Sequence, residues 1–391
     1  MSYNVVSYSK TATMTQLTNP QQSAVASKDA NKTVLIIGAS GLVGTAAARA
    51  FRSENWSVIA TSRRIPELLQ DENYQYLSLD LQDAAACTRA AESLETITHV
   101  VYAAVYEMPG LMTGWSDPHQ IETNAKMLRN IIEPLARHDR LQHVTLLQGT
   151  KAYGGSVQPM RVPARESQPR VDHPNCYWEQ EDYLREKSST AHFDYTILRP
   201  QLIVGPNHGV VMNLPPVVGA YAAIRQHEGL PFSFPGGPDW VWEAVDARLV
   251  GNACVWAADH PIAAGETYNL TNGEVFTWRD MWPGIAETLG VRPGPDESLS
   301  VAQYLTQRAG LWDEITELYG LKGGKLLQLL GESHHYADLC FAHLATSAPP
   351  PTFVSTIKIK QAGFTETANS EASFCHWLRD LQRRQIIPNP Q

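Results

Sequence analysis

The chain has 391 residues, 43% hydrophobic and 18% charged, with a formal net charge of -9 at pH 7. That length suits one large domain or two closely joined ones, and an acidic balance without a basic run argues against nucleic acid or an anionic membrane as partner. No apolar stretch reaches membrane-spanning length, and the thirteen histidines form no H-E-x-x-H, so neither a membrane span nor a metal site is expected. Five cysteines (Cys87, Cys176, Cys254, Cys340 and Cys375) are scattered without a C-x-x-C, a usage that fits free thiols in a reducing compartment such as the cytoplasm.

Residues 1–31 are rich in Ser, Thr, Gln, Ala and Asn and lack hydrophobic periodicity. They read as a mobile tail without the apolar core of a secretory signal. The organising stretch follows directly. Val34-Leu35-Ile36-Ile37 is a buried strand, Gly38-Ala39-Ser40-Gly41-Leu42-Val43-Gly44 spaces three glycines as G-x-x-G-x-x-G, and Thr45 to Phe51 opens a helix. A strand, a tight glycine turn and a helix N-terminus in that order form a dinucleotide site, where backbone amides and the helix dipole meet a pyrophosphate. Gly38, Ser40, Gly41, Leu42, Val43 and Gly44 are therefore expected at the cofactor. The bland alternative is a strand–helix turn with no ligand.

The second predicted strand, residues 57–61, runs into Ser62-Arg63-Arg64. An acid at this place would bind the ribose 2′-hydroxyl of NAD, whereas arginines suit the 2′-phosphate of NADP. Ser62, Arg63 and Arg64 thus point to NADPH, against the alternative of a solvated charged turn. The third predicted strand, residues 76–81, ends at Asp80 and Leu81, placed for the adenine; Asp80 also reads as an N-cap for the next helix. The fourth, residues 99–104, ends in Ala103 and Ala104 ahead of Val105, small enough for close passage of the cofactor. Residues 121–135 form an amphipathic helix with Asn124 in its first turns, also expected at the cofactor. The fifth strand, residues 143–150, carries Gln148 and leads to Lys151; a Pro-rich loop over 159–174 precedes the helix that opens at Asn175-Cys176-Tyr177. The sixth strand, residues 195–200, ends at Pro200 with Ile203 close behind. Gln148, Lys151, Tyr177, Pro200 and Ile203 are expected at the nicotinamide end.

Strands alternating with helices over some 200 residues predict an α/β fold: a Rossmann-like, doubly wound parallel sheet with ligand at the strands' carboxyl ends. The expected organisation is a cofactor domain over 32–205 and a smaller α-rich substrate-binding region over 206–391, with later segments free to return to the sheet. In that second part, residues 214–227, 246–258, 283–289, 301–330 and 370–385 read as helices, and residues 232–238 as a strand and turn.

A short-chain reductase usually carries Tyr-x-x-x-Lys on one helix, but here Glu181 stands four residues after Tyr177. Lys151, just past the fifth strand, is the lysine with a structural argument. The glycine spacing, Ser62-Arg63-Arg64, Gly149-Thr150-Lys151-Ala152-Tyr153, the stretch from Asn175 to Asp182, Phe234-Pro235-Gly236, Trp278 and the C-terminal Trp377-Leu378 through Ile387-Pro388 together carry a resemblance. The chain resembles the progesterone 5β-reductase/iridoid synthase-like enzymes, an atypical branch of the extended short-chain dehydrogenases/reductases, from residue 33 onward.

That resemblance implies NADPH-dependent reduction of the C=C bond of small-molecule enones or enals, with Tyr177 and Lys151 as the catalytic pair on separate segments. It also leaves a homodimer as an open expectation. The chain departs from the family at Cys176, where Phe is usual, at Trp178, where a second Tyr is usual, and at Val105, where plant relatives have Trp. Two other functions stay open at this stage. One is carbonyl reduction or epimerisation on the same fold, and the other is a non-catalytic NADP-binding sensor.

Overall fold

In β1 (Thr33–Ile37) all five residues are buried. Because side chains alternate across a strand, Val34 and Ile36 join one hydrophobic cluster while Leu35 and Ile37 join another on the opposite face. A strand covered on both sides belongs in the middle of a parallel sheet. The computed structural model describes residues 32–389 apart from 73 and 109–113, so the tail expected over 1–31 lies outside the described residues.

The elements follow in order: β1, α1 (Leu42–Ser53), β2 (Ser57–Ser62), β3 (Gln75–Ser78), α2 (Ala84–Glu92), β4 (His99–Tyr102), α3 (Pro118–Leu135), β5 (His143–Leu147), α4 (Cys176–Ala191), β6 (Asp194–Pro200) and β7 (Leu202–Val204). Then come α5 (Leu214–His227), β8 (Val241–Trp242), β9 (Ala244–Asp246), α6 (Ala247–Asp259), β10 (Glu266–Leu270), β11 (Phe276–Thr277) and α7 (Trp278–Leu289). Six further helices close the chain: α8 (Val301–Thr306), α9 (Ala309–Tyr319), α10 (Leu326–Leu330), α11 (Ser333–Cys340), α12 (Ile357–Gln361) and α13 (Ser370–Arg383).

Seven parallel strands form the sheet in the order β10-β6-β5-β4-β1-β2-β3. The order reverses between β1 and β4, where Ile37 pairs with Tyr102, and their carboxyl ends open the crevice in which such sheets hold ligands. Helices α1 and α6 cover one face, with Phe51, Leu249 and Val250 in its core. Helices α2 and α3 cover the other, with Cys87, Leu128 and Ile131 buried there.

The C-terminal helices build a third core around α5, in which Trp282 stacks on Phe232 with centroids 4.4 Å apart and Trp312 is fully buried. Stacked aromatics contribute roughly 0.5–1.5 kcal/mol beyond the area they bury.

Several predicted elements are corrected. β3 stops at Ser78, β4 at Tyr102 and β5 at Leu147, so Asp80, Ala103 and Gln148 lie beyond the ladder. The N-cap of α2 is Asp83, which accepts from the Ala86 amide; Asp80 instead accepts from the Gln82 amide within its own turn. Residues 232–238 form no strand, and Phe232 makes only an isolated bridge to Pro293. The long helix expected over 301–330 is three short ones, the second ended by Gly320 at φ 61°. The seventh strand, β10, was not predicted. Its sequence Glu-Thr-Tyr-Asn-Leu is polar for a strand, and its place beside β6 buries Asn269 completely.

Candidate active site

Gly38 follows β1 at φ +88°, and a Cβ there would stand 2.8 Å from the Ala103 and Ala104 backbone, so the first turn requires glycine. Gly44 serves packing: its Cβ would meet the Gly38 carbonyl oxygen at 2.2 Å, so the glycine lets α1 lie against the turn. The N-cap of α1 is Gly41, without a side-chain cap and without an acid in the first turn. Helices α2, α3, α4 and α6, by contrast, are capped by Asp83, Asp117, Asn175 and Asp246. The α1 N-terminus thus carries neither a side-chain cap nor an acid of its own, a setting that favours an anion.

The crevice holds two cavities of about 300 and 250 Å³ that share Gly41, Ala103, Val105, Val210 and Val211. Gly38, Ser40, Ser62, Arg63, Arg64, Asp80, Leu81 and Ala104 line the first. Leu42, Val43, Gln148, Lys151, Tyr177, Pro200 and Ile203 line the second. Two sequence-predicted site residues line neither. Gly44 packs as described, and buried Asn124 spends its amide on the backbone: Oδ1 accepts from the Tyr106 amide at 2.8 Å, and Nδ2 donates to the Tyr106 and Gln120 carbonyls. Asn124 therefore fixes the loop that carries Val105 and Glu107.

Lys151 and Tyr177 come from different segments, and one residue ties them together. Asn175 accepts from the Tyr177 amide through Oδ1 at 3.0 Å and donates from Nδ2 to the Lys151 carbonyl at 3.2 Å. Glu181, one turn below Tyr177, is buried and paired to Arg199 at 2.5 Å and to Arg170 at 2.9 Å. Arg199 in turn donates to Gln148 Oε1, and Gln148 donates to the Tyr177 carbonyl. The position where a Tyr-x-x-x-Lys helix carries its lysine is here an acid that organises the floor of the site.

Burial pushes the Tyr177 phenol well above its usual range, and the charges of Cys176 and Glu107 push the same way. Tyr177 is accordingly a neutral hydrogen-bond donor. Burial pushes Lys151 down to about 8, with Glu107 acting against that shift.

Sequence reading missed Trp115, Glu107, Tyr336 and the loop over 205–213. The Lys151 ammonium stands 3.4 Å from the centre of the Trp115 ring, and Trp115 meets Tyr177 edge-on at 5.6 Å. Tyr336 on α11, with Val211 and Met212, completes the second cavity. The loop is pinned over the crevice by Asn207, which donates to the Ser40 carbonyl and Thr45 Oγ1, and by Ser333, which donates to the Val210 carbonyl. No periodic signal marks these residues. An acid and an aromatic after the fourth strand were visible, but their convergence was not.

Residues 34–271 match the NAD dependent epimerase/dehydratase family. An (S)-8-oxocitronellyl enol synthase of Camptotheca acuminata is 31% identical, the match covering 93% of this chain and 95% of that one. A 3-oxo-Delta(4,5)-steroid 5-beta-reductase of Arabidopsis thaliana is 29% identical over 90% of this chain and 92% of its own. Among solved structures, a UDP-glucose 4-epimerase of Thermotoga maritima superposes with a TM-score of 0.64 at 15% identity, covering 90% of this chain and 99% of that one. The enzyme WbmH of Bordetella bronchiseptica, solved with NAD+, superposes with a TM-score of 0.63 at 15% identity over 92% of this chain and 100% of its own.

The chain belongs to the NAD dependent epimerase/dehydratase family and, within it, to the progesterone 5β-reductase/iridoid synthase-like branch. It is an oxidoreductase of the short-chain dehydrogenase/reductase type. Among the described residues no helix is long and apolar enough to cross a membrane, and no group of three His, Cys, Asp or Glu could hold a metal ion.

Proposed function

We propose that this protein is an NADPH-dependent enone reductase that adds hydride to the β-carbon of a small-molecule enone or enal. The observation that carries the reading is the convergence of Lys151 and Tyr177 on one cavity at the carboxyl ends of the sheet, without a Tyr-x-x-x-Lys helix. The uncapped N-terminus of α1 supports a pyrophosphate beside Ser40 and Gly41. Arg63 and Arg64 are exposed and line the first cavity, and their guanidinium groups make no hydrogen bond or ion pair among the described residues, which supports a 2′-phosphate there. A reduced nicotinamide bound at the other end would supply the hydride.

The chain's own residues do the rest. Reduction at the β-carbon sends charge to the carbonyl oxygen, and neutral Tyr177 donates a hydrogen bond to that developing enolate. Lys151 holds a positive charge beside it. Val105, Val211, Met212 and Tyr336 give the second cavity an apolar wall that orients the substrate.

The test is NADPH oxidation across small enones, cyclic enones, enals and 3-keto-4-ene steroids, with the products identified. Saturated carbonyl products support the reading, and alcohols point to carbonyl reduction instead. Tyr177→Phe keeps the ring and removes the donor. Loss of one oxyanion donor lowers kcat by roughly 100- to 1000-fold, with NADPH affinity nearly unchanged. A Tyr177→Phe variant working at the unmutated rate would overturn the assignment.

A further inference from the structure

Lys151 has an unusual resting place for an ammonium group. Its contacts are the Trp115 ring face at 3.4 Å and the Met212 thioether at 3.6 Å; among the described residues no oxygen accepts from it. A cation over an indole is held by the ring quadrupole, and the strength of that hold depends on the ring staying in place. Trp115 stays in place through Glu107, whose Oε1 accepts from the indole Nε1 at 2.9 Å. The other carboxylate oxygen, Oε2, is buried and without a partner among the described residues. The indole also meets Tyr177 edge-on, so one ring touches both candidate groups.

From this chain of contacts we infer that Glu107 is the positioning residue for Lys151: one carboxylate oxygen holds the Trp115 ring under the ammonium, and the carboxylate charge holds the ammonium at the end of the cleft. The inference rests on the reading of Lys151 as part of the site. It adds a role for the loop between β4 and α3: Asn124 holds that loop at Tyr106, Glu107 holds Trp115, and Trp115 presents the ammonium. A ligand oxygen such as a ribose hydroxyl or a substrate carbonyl would give the ammonium a charge-assisted hydrogen bond that neither the thioether nor the ring face supplies.

Glu107 also faces Lys151 as a negative charge and favours its charged form against burial. The other groups in play are Cys176 beside Lys151 from α4, Tyr177 in the same cavity, Glu332 facing Glu107, and Arg199, which acts on Tyr177 from below.

The experiment measures the titration of Lys151 in the full chain, without turnover, by trace acetylation with acetic anhydride across pH 6–11 and mass spectrometry of the Lys151 peptide. Glu107→Gln keeps the carboxamide oxygen for the indole and removes the charge. It should lower the Lys151 midpoint by about one pH unit, the lower end of what a nearby opposite charge contributes. Glu107→Asp should restore the midpoint to within a few tenths of a unit. The basic limb of the kcat/KM profile should move with the midpoint.

An unmoved midpoint in Glu107→Gln overturns the inference, even if the unmutated protein reduces enones. A shifted midpoint in a protein that reduces no enone upholds the Glu107 role and defeats the reductase reading instead. If Glu107→Asp behaves as Glu107→Gln, the charge is not what Lys151 senses and the inference falls.

Discussion

Arg63 and Arg64 leave β2 with exposed guanidinium groups over the first cavity, and no acid of the chain engages them among the described residues. A charge-assisted hydrogen bond to phosphate contributes about 1.5–3 kcal/mol, so a double change to Ala should weaken NADPH on the order of 10- to 100-fold while leaving NADH nearly unaffected. Isothermal titration of both cofactors checks this, and equal affinity of the unmutated protein for the two would remove the basis for NADPH. Both arginines were legible in the sequence because they directly follow a strand whose partner glycine turn is plain. Asn124 shows the opposite case. It stands in the right helix but turns its amide to the Tyr106 backbone, a choice set by where the loop returns in space. Glu181 was legible only as a missing lysine, and its pairing with Arg199 and Arg170 emerges when β6 and the Pro-rich loop come together.

The element that decides the site is the N-terminus of α4. Asn175 is at once its cap, through Oδ1 on the Tyr177 amide, and the tether to the Lys151 carbonyl. Removing an N-cap costs about 1 kcal/mol, within a range of roughly 0.5–2. Asn175→Ala should therefore lower stability by about that amount and lower kcat as well, because the helix start carrying Tyr177 loses its anchor to the Lys151 turn. Asn175→Asp keeps the cap and loses the tether, so its stability should recover more fully than its kcat. Chemical denaturation with turnover on the same samples separates the two effects, and full activity in Asn175→Ala would show that the tether does not position the pair. The helix was visible from its acidic start, whereas the tether depends on a carbonyl 24 residues away.

At the scale of the whole molecule, the amino ends of the central strands, opposite the site, carry a pH dependence. His99 on β4 and His143 on β5 stack with centroids 6.2 Å apart under the core. Burial pushes His99 down to about 4, assisted by Lys32, and pushes His143 down to about 3, assisted by His99. His208, His334 and His376 are also held below the usual histidine range, chiefly by burial. The folded state thus refuses protons that the unfolded chain accepts near pH 6.5.

This stabilisation is complete above about pH 6.5 and falls as the pH drops toward 4, by up to about 1.4 kcal/mol per pH unit for each such histidine. Glu243, pushed up to about 7 by burial, works in the opposite sense over part of that window, as does Glu107. The histidines outnumber them, so denaturation midpoints should fall steadily between pH 7 and 5, and His143→Gln should flatten the fall. A midpoint constant over that range would contradict this account of the buried pair.

The amino-acid sequence by itself determined the parallel sheet, the glycine turn, the arginines after β2, the family and the candidate pair Tyr177 and Lys151. Each of these is written locally, in a run of apolar residues, a turn residue or a short motif within reach of its neighbours. The tertiary structure alone decided what surrounds the pair. Trp115, Glu107, Val211, Met212 and Tyr336 come from three separate stretches of chain, and they meet because the sheet order brings the carboxyl ends of β1, β4 and β5 to one crevice that the C-terminal helices then close. Burial in that crevice, with the charges of Glu107 and Cys176 close by, shifts the titration of Lys151 and Tyr177, and these depend on neighbours in space that no local pattern encodes.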